Sequence, residues 1–226
     1  MKTETQSIAP AFLLVGLLCL PGFSLRAQAS LSNRGTDSLG NQLIYDSDLN
    51  ITWYDYSNSA NLWQDQMDWA SALTVHFGGN IYGDWRLPST VDGPFDEYDY
   101  SGTTSGGYNM TSSEMAYLYY VELGNKGQFD TSGNPQVGYG LTNKGPFTKL
   151  LPSSYWSGTE YGIDPTTAWS FHFHIGHQDI SYKNNYSYYA IAVRTGDVPI
   201  IPAPGAVLLA SFGTGLAGWL RHRRIV

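Results

Sequence analysis

The sequence predicts an α+β domain built of two helices, a twisted antiparallel sheet and long irregular loops. Three observations lead there. Two segments, 62–77 and 111–125, repeat apolar residues at helical spacing. The last third alternates apolar and polar residues with the period of two that a strand requires. Strands and helices come in blocks and not as βαβ units, and no solenoid-length repeat is present.

Taken in order, residues 43–57 (LIYDSDLNITWYDYS) read as two short strands around an Asp-Ser-Asp turn, with Ile51 and Trp53 on one face. In the first helix Trp63, Met67, Ala70 and Thr74 recur on one stripe, flanked by Leu62, Trp69 and Leu73, and Gly78-Gly79 ends it. Such a stripe is core packing rather than a ligand box. Residues 91–110 form a loop rich in Gly, Ser, Asp and Tyr. A capping box, Thr111-x-x-Glu114, opens the second helix, which places Met115, Leu118 and Glu122 roughly on one face and stops at Gly124-Asn125. Turn dipeptides then fill 124–154. A β-meander closes the domain. Along 167–177, Trp169, Phe171, Phe173 and Ile175 face one way and Ser170, His172 and His174 the other, and 178–184 and 186–197 supply two more strands.

The ends read as targeting signals. Residues 1–29 carry Lys2, an apolar run at 11–20 and small residues at Ala27-Gln28-Ala29, so cleavage is expected after Ala29. The chain's one cysteine, Cys19, lies inside this leader and follows Leu17-Leu18, not the small residue a lipid-anchor site needs. The mature chain then has no disulfide, thiol nucleophile or cysteine metal site, and its stability must come from a core. Residues 198–226 hold three prolines, an apolar stretch at 205–220 and the basic group Arg221, His222, Arg223, Arg224. As a helix that stretch would be about 24 Å long, short for a hydrocarbon core of about 30 Å. It is either a single-span anchor with its C-terminus in the cytoplasm or a sorting tail.

Between the ends, residues 30–197 are the size of one domain and hold seven Lys/Arg against eighteen Asp/Glu, about eleven negative charges net. Such a surface repels phosphate backbones and excludes nucleic acid as a partner.

Several short motifs in fixed order carry a resemblance. They are Trp69-Ala70-x-x-Leu73, Asp84-Trp85-Arg86-Leu87-Pro88, Ser113-Glu114-Met115, Tyr155-Trp156-Ser157, Ala168-Trp169-x-Phe171 and Ala192-Val193-Arg194. Together they resemble the Lcl C-terminal-like domain, an exported bacterial family without a general assigned activity. The resemblance covers about 41–197 and implies a C-type-lectin-like fold whose long loops carry any binding. It marks Asp84, Trp85, Arg86, Leu87, Pro88, Glu114, Trp156, Trp169 and Arg194 as structural signature residues. Many members carry cysteine pairs where this chain has Trp69-Ala70 and Ala192-Val193, which places it in a cysteine-free subgroup. Formylglycine-generating chemistry, known on a related fold, needs cysteines and is excluded. The tail resembles the PEP-CTERM class of sorting signals, with Ala203 in Pro202-Ala203-Pro204 where the class has an acid. That resemblance implies an exosortase-type peptidase as processing partner, with residues 205–220 held in the inner membrane before release to the cell surface or medium.

Three sets of residues are candidates for binding. His172 and His174 lie about 6.6 Å apart along one strand face and would share a metal ion with His177 or Asp179; the plainer reading is an exposed polar face. Asp92, Asp96, Glu97 and Asp99 offer oxygen ligands in a loop suited to Ca²⁺, although their spacing is not that of an EF-hand and clustered acids are commonly just solvated. Tyr98, Tyr100, Tyr108 and Tyr161 (with Tyr54 and Tyr56) would stack on sugar rings or simply cover loop backbone. No G-x-S-x-G, H-E-x-x-H or phosphate-cradling loop is present. The expectation is a non-enzymatic, exported binding module for extracellular polysaccharide. The alternative is a structural or protein-interaction component of the envelope or biofilm matrix, and a hydrolase is the third reading. Arg86, set between two large apolar residues, needs a carboxylate or carbonyl partner. Asp84, Glu114 and a loop carbonyl all qualify, and the segment reads as a clamp rather than an active site.

Overall fold

A computed structural model describes residues 30–198. The leader 1–29, the apolar stretch 205–220 and the basic cluster lie outside the described residues. Within them no helix is long and apolar enough to cross a membrane. Val198, the last of the described residues, is fully buried in the core.

The fold is α+β, with one large mixed sheet and two short helices. The strands are β1 (Leu31–Thr36), β2 (Gln42–Asp46), β3 (Ile51–Asn61), β4 (Val75–Phe77), β5 (Asn80–Tyr82), β6 (Gly107–Tyr108), β7 (Ser154–Glu160), β8 (Thr167–His172), β9 (His177–Tyr182) and β10 (Tyr188–Thr195). Eight of them form a sheet in the order β1-β2-β3-β10-β7-β8-β9-β6, and β4 and β5 form a separate hairpin.

Alternate residues of the central strands go to opposite sides. Trp53, Tyr155, Ile191 and Val193 join the cluster around α2 (Glu114–Tyr117), while Tyr54, Trp156, Ala190 and Ala192 pack toward α1 (Trp63–Ala72). Both faces are thus covered, and β8 is buried from Thr167 to Phe171, Ser170 included. The open polar face expected at Ser170 does not exist.

The closing strands also differ from the expected meander. β7, β8 and β9 do form one, but β10 crosses back to lie between β3, antiparallel, and β7, parallel at Tyr189↔Tyr155. Its residues 190–193 are apolar on both faces and fully buried. An edge position would expose one face and give up about 1.5–3 kcal/mol for each of Ile191 and Val193.

The first helix stops at Ala72, five residues earlier than expected. Gly78 and Gly79, at φ 60° and 80°, make the two-residue turn of the β4–β5 hairpin instead of a helix stop. Its buried stripe is Trp63, Gln66 and Ala70, with Thr74 exposed. Ser113, not Thr111, caps α2 by accepting the Ala116 N–H. The helix then widens into a π-helical turn, Leu118–Glu122, which turns Tyr119 and Tyr120 toward the β8–β9 connection. Their hydroxyls donate to the backbone carbonyls of Lys126 and Gly176.

Residues 85–90 lock these layers together. Arg86 exchanges both backbone hydrogen bonds with Val193 of β10, the Pro88 carbonyl accepts from Gly158 of β7, and the Ser89 carbonyl accepts from Glu114 of α2. Trp85 and Leu87 are buried on the α1 side. On the other side the Arg86 guanidinium grips Glu114 with two bonds of 2.7 Å and donates a third to the Leu87 carbonyl. Of the three candidate partners, Glu114 and a carbonyl are therefore used. Asp84, at φ 56°, turns instead to Arg194, at 3.2 and 3.3 Å. Trp156 and Trp169, the other signature residues, are fully buried and donate to the Asn61 carbonyl and to Asp92.

Replacing Arg86 by Ala leaves the half-buried Glu114 carboxylate without its cation. With the exposure of the guanidinium discounted, the cost is about 1–2 kcal/mol, or roughly 2–8 °C in melting temperature for a domain of this size. Thermal denaturation of Arg86→Ala and Arg86→Lys should show both lowered, since Lys has no bidentate fork. An unchanged melting temperature would remove the clamp.

Candidate functional site

The β8–β9 hairpin sets the site. Its turn needs Gly176 at φ 71°, because a Cβ there would sit 2.7 Å from Tyr119 and 2.9 Å from the backbone of Gly127. The turn makes His172 and His177 direct cross-strand partners. Asp179, two residues beyond His177, shares its face. The three side chains bring their ligand atoms within 4.8 Å of one another, with His172 Nε2 and the Asp179 carboxylate 3.8 Å apart. His174 projects from the turn, exposed, its ring 5.7 Å from that of His172. The expected His172/His174 pair is corrected accordingly: the strand ends at His172, so the period-two face does not reach His174.

Loop 91–110 supplies the adjoining wall. Its last residues form β6, which pairs with β9 and lays the Tyr108 ring 4.6 Å from His177. Gly107, at φ 101°, passes so close to Asp99 that a Cβ would lie 2.3 Å from that residue's carbonyl oxygen. Tyr100 stacks on Tyr108 at 5.8 Å, and both rings abut Phe129. Asn109 donates to the carbonyls of both Tyr100 and Phe129, fastening the two loops.

The result is a cleft of about 350 Å³. Tyr98, Tyr100, Tyr108 and Phe129 make its aromatic wall, and Glu97, Asp179 and the three histidines its polar side. Among the described residues no Lys or Arg lines it. Burial holds the His177 imidazole below its ordinary pKa against the opposing pull of Asp179, which favours the neutral ring. Burial, and then Tyr100, Glu97 and Asp179, push the Tyr108 hydroxyl up to about 12, so it remains a phenol. The cleft suits neutral or cationic groups and opposes anions.

Other expected site residues lie elsewhere. Tyr161 is buried against Trp169 and Phe95 and contributes nothing to the cleft; Tyr54 is buried in β3. The four acids have separate partners. Asp92 accepts from the Trp169 indole and the Gly162 N–H, and Asp96 from the Tyr98 N–H. Asp99 accepts backbone N–H bonds from Ser101, Thr103 and Thr104 together with their hydroxyls. Only Glu97 of the four lines the cleft. Among the described residues the three-membered group placed to hold a metal is His172, His177 and Asp179.

Ser154 and Phe129 escaped sequence reasoning. Ser154 Oγ lies 2.5 Å from His172 Nδ1, as its pairing partner on β7, and nothing local in the sequence marks that adjacency. Ser154, His172 and Asp179 stand in the relay order of a nucleophilic triad, with 3.8 Å between His172 and Asp179, longer than a hydrogen bond. No family model, curated protein or solved structure matches the chain.

Burial raises the Asp99 carboxyl, yet the hydrogen bonds it accepts from Ser101 and Thr104 outweigh that and hold it well below the usual range. A depressed carboxyl contributes stability that is complete above its unfolded value, about 3.9, and is lost as pH falls through the lower folded value. Asp99→Asn should lower stability at neutral pH and remove this part of the acid dependence. Denaturant midpoints for the two proteins between pH 7 and pH 2 check it; parallel curves would contradict it.

Proposed function

We propose that this chain is an exported, non-enzymatic binding domain of the cell surface or extracellular matrix, and that its ligand is a neutral polysaccharide segment taken into the cleft between loop 91–110 and the β8–β9 hairpin. The observation that carries the reading is the cleft itself. Stacked aromatic rings stand beside acceptor-rich polar groups, without a cationic residue to attract a polyanion. Sugar rings present an apolar face and a rim of hydroxyls, and this pairing of walls matches both. The resemblance to the Lcl C-terminal-like family and its lectin-like fold supports the reading from a second side, since binding there belongs to the long loops. Export by the 1–29 leader and handling of the C-terminal tail by an exosortase-type peptidase complete the proposal.

A glycan array probed with the chain, with and without Ca²⁺, tests it. The prediction is retention of neutral polysaccharides independent of Ca²⁺. Tyr98 is 67 % exposed and makes no core contact, so Tyr98→Ala keeps the fold. Losing one aromatic contact worth about 0.5–1.5 kcal/mol should weaken binding about 2- to 12-fold. A blank array would turn the reading toward a matrix structural component.

A further inference from the structure

The geometry points to a site for a divalent transition-metal ion of the Zn²⁺ class, held by His172, His177 and Asp179 on the polar side of the cleft. It stands on the cluster's own arrangement and holds whether or not the cleft takes a sugar.

Backbone register, not chance proximity, assembles the donors. His172 and His177 face each other across the hairpin, and Asp179 follows on the same face of β9. Tetrahedral coordination with bonds of about 2.0–2.1 Å places ligand atoms about 3.3 Å apart. The separation of 3.8 Å between His172 Nε2 and Asp179, and at most 4.8 Å within the group, leaves about 0.5–1.5 Å to close by side-chain rotation.

Both imidazoles are also held as metal ligands usually are. A ligating histidine commonly gives its second ring nitrogen to a protein oxygen, which fixes tautomer and orientation. Here Ser154 Oγ takes His172 Nδ1 and the Glu97 carbonyl takes His177 Nε2, at 2.5 and 3.3 Å. That leaves His172 Nε2, 3.8 Å from the Asp179 carboxylate, with its lone pair. The Tyr188 and Tyr108 rings pack against His172 and His177 and limit their rotation. Neither a Lys nor an Arg lines the cleft to repel a cation.

The donor set decides the class of ion. Two imidazoles and one carboxylate suit Zn²⁺ and its neighbours, whereas Ca²⁺ and Mg²⁺ want oxygens. With three protein ligands a fourth position stays open toward the cleft, where water or a ligand hydroxyl would sit.

Isothermal titration of the full-length chain in detergent with Zn²⁺, in the absence of any glycan, tests this. One equivalent should bind, Ca²⁺ in excess should not compete, and Co²⁺ should give the visible bands of a four- or five-coordinate site. His172→Gln and Asp179→Asn should abolish binding, while His174→Ala, outside the cluster, should leave it unchanged. Circular dichroism without metal separates a lost site from a lost fold, and should any variant misfold, the Co²⁺ spectrum of the unmutated chain decides alone. No heat with Zn²⁺, six-coordinate Co²⁺ bands, or binding lost in His174→Ala and kept in folded His172→Gln would overturn the assignment. Because no sugar is present, these outcomes are independent of the glycan array.

Discussion

The pair formed by Arg86 and Glu114 is the interaction on which the rest of the molecule depends. Its strength is moderate, since the guanidinium is partly exposed and such pairs contribute little by Coulomb attraction alone. Its importance is positional. The Arg86 backbone belongs to the sheet through Val193, and Glu114 is the first residue of α2 and also accepts the Ser89 N–H. The two bonds therefore fix the helix start against the sheet. Ser113, one residue earlier, caps the helix and bonds Gln178 of β9, whose amide in turn donates to the Ser105 carbonyl of loop 91–110. An unbroken chain of polar contacts runs from the clamp to both walls of the cleft. The segment that looks most like an active site in the sequence is a structural clamp.

Long loops in a domain without cysteine need another means of closure, and buried polar side chains supply it. Asp37 accepts the backbone N–H groups of Leu39 and Asn41. Asp55 of β3 accepts from Thr148 and Lys149. Asn125 and Asn143 clamp each other's backbone segments at the end of the π-helical turn. Each is neutral or acidic, and leaves the surface negative.

How much of this could be read beforehand follows from which forces are local. The first helix, the β8 and β9 strands and the partner requirement of Arg86 were legible, because spacing and burial chemistry lie in consecutive residues. Gly78-Gly79 was read as a helix stop, since the same dipeptide also closes a hairpin and only pairing partners distinguish the two. The central place of β10 was missed because an apolar strand reads alike beside any neighbour. At the site, Tyr98, Tyr100, Tyr108 and the histidines were singled out, and the cleft gathers them. Which donors the acids of 92–99 serve, and that Tyr161 is buried, were not legible, because composition marks a loop as polar without naming the partners of its side chains. Ser154 and Phe129 arrive from remote segments and left no local trace.

Anomalous diffraction from crystals of the chain grown with Zn²⁺ tests the account most directly, because it locates the ion and the cleft together. One strong peak is predicted about 2.0–2.2 Å from both imidazoles of His172 and His177 and from the Asp179 carboxylate, with its open side toward Tyr108. A peak at His174 alone, or one among Asp92, Asp96 and Asp99 with the histidine cluster empty, would contradict it.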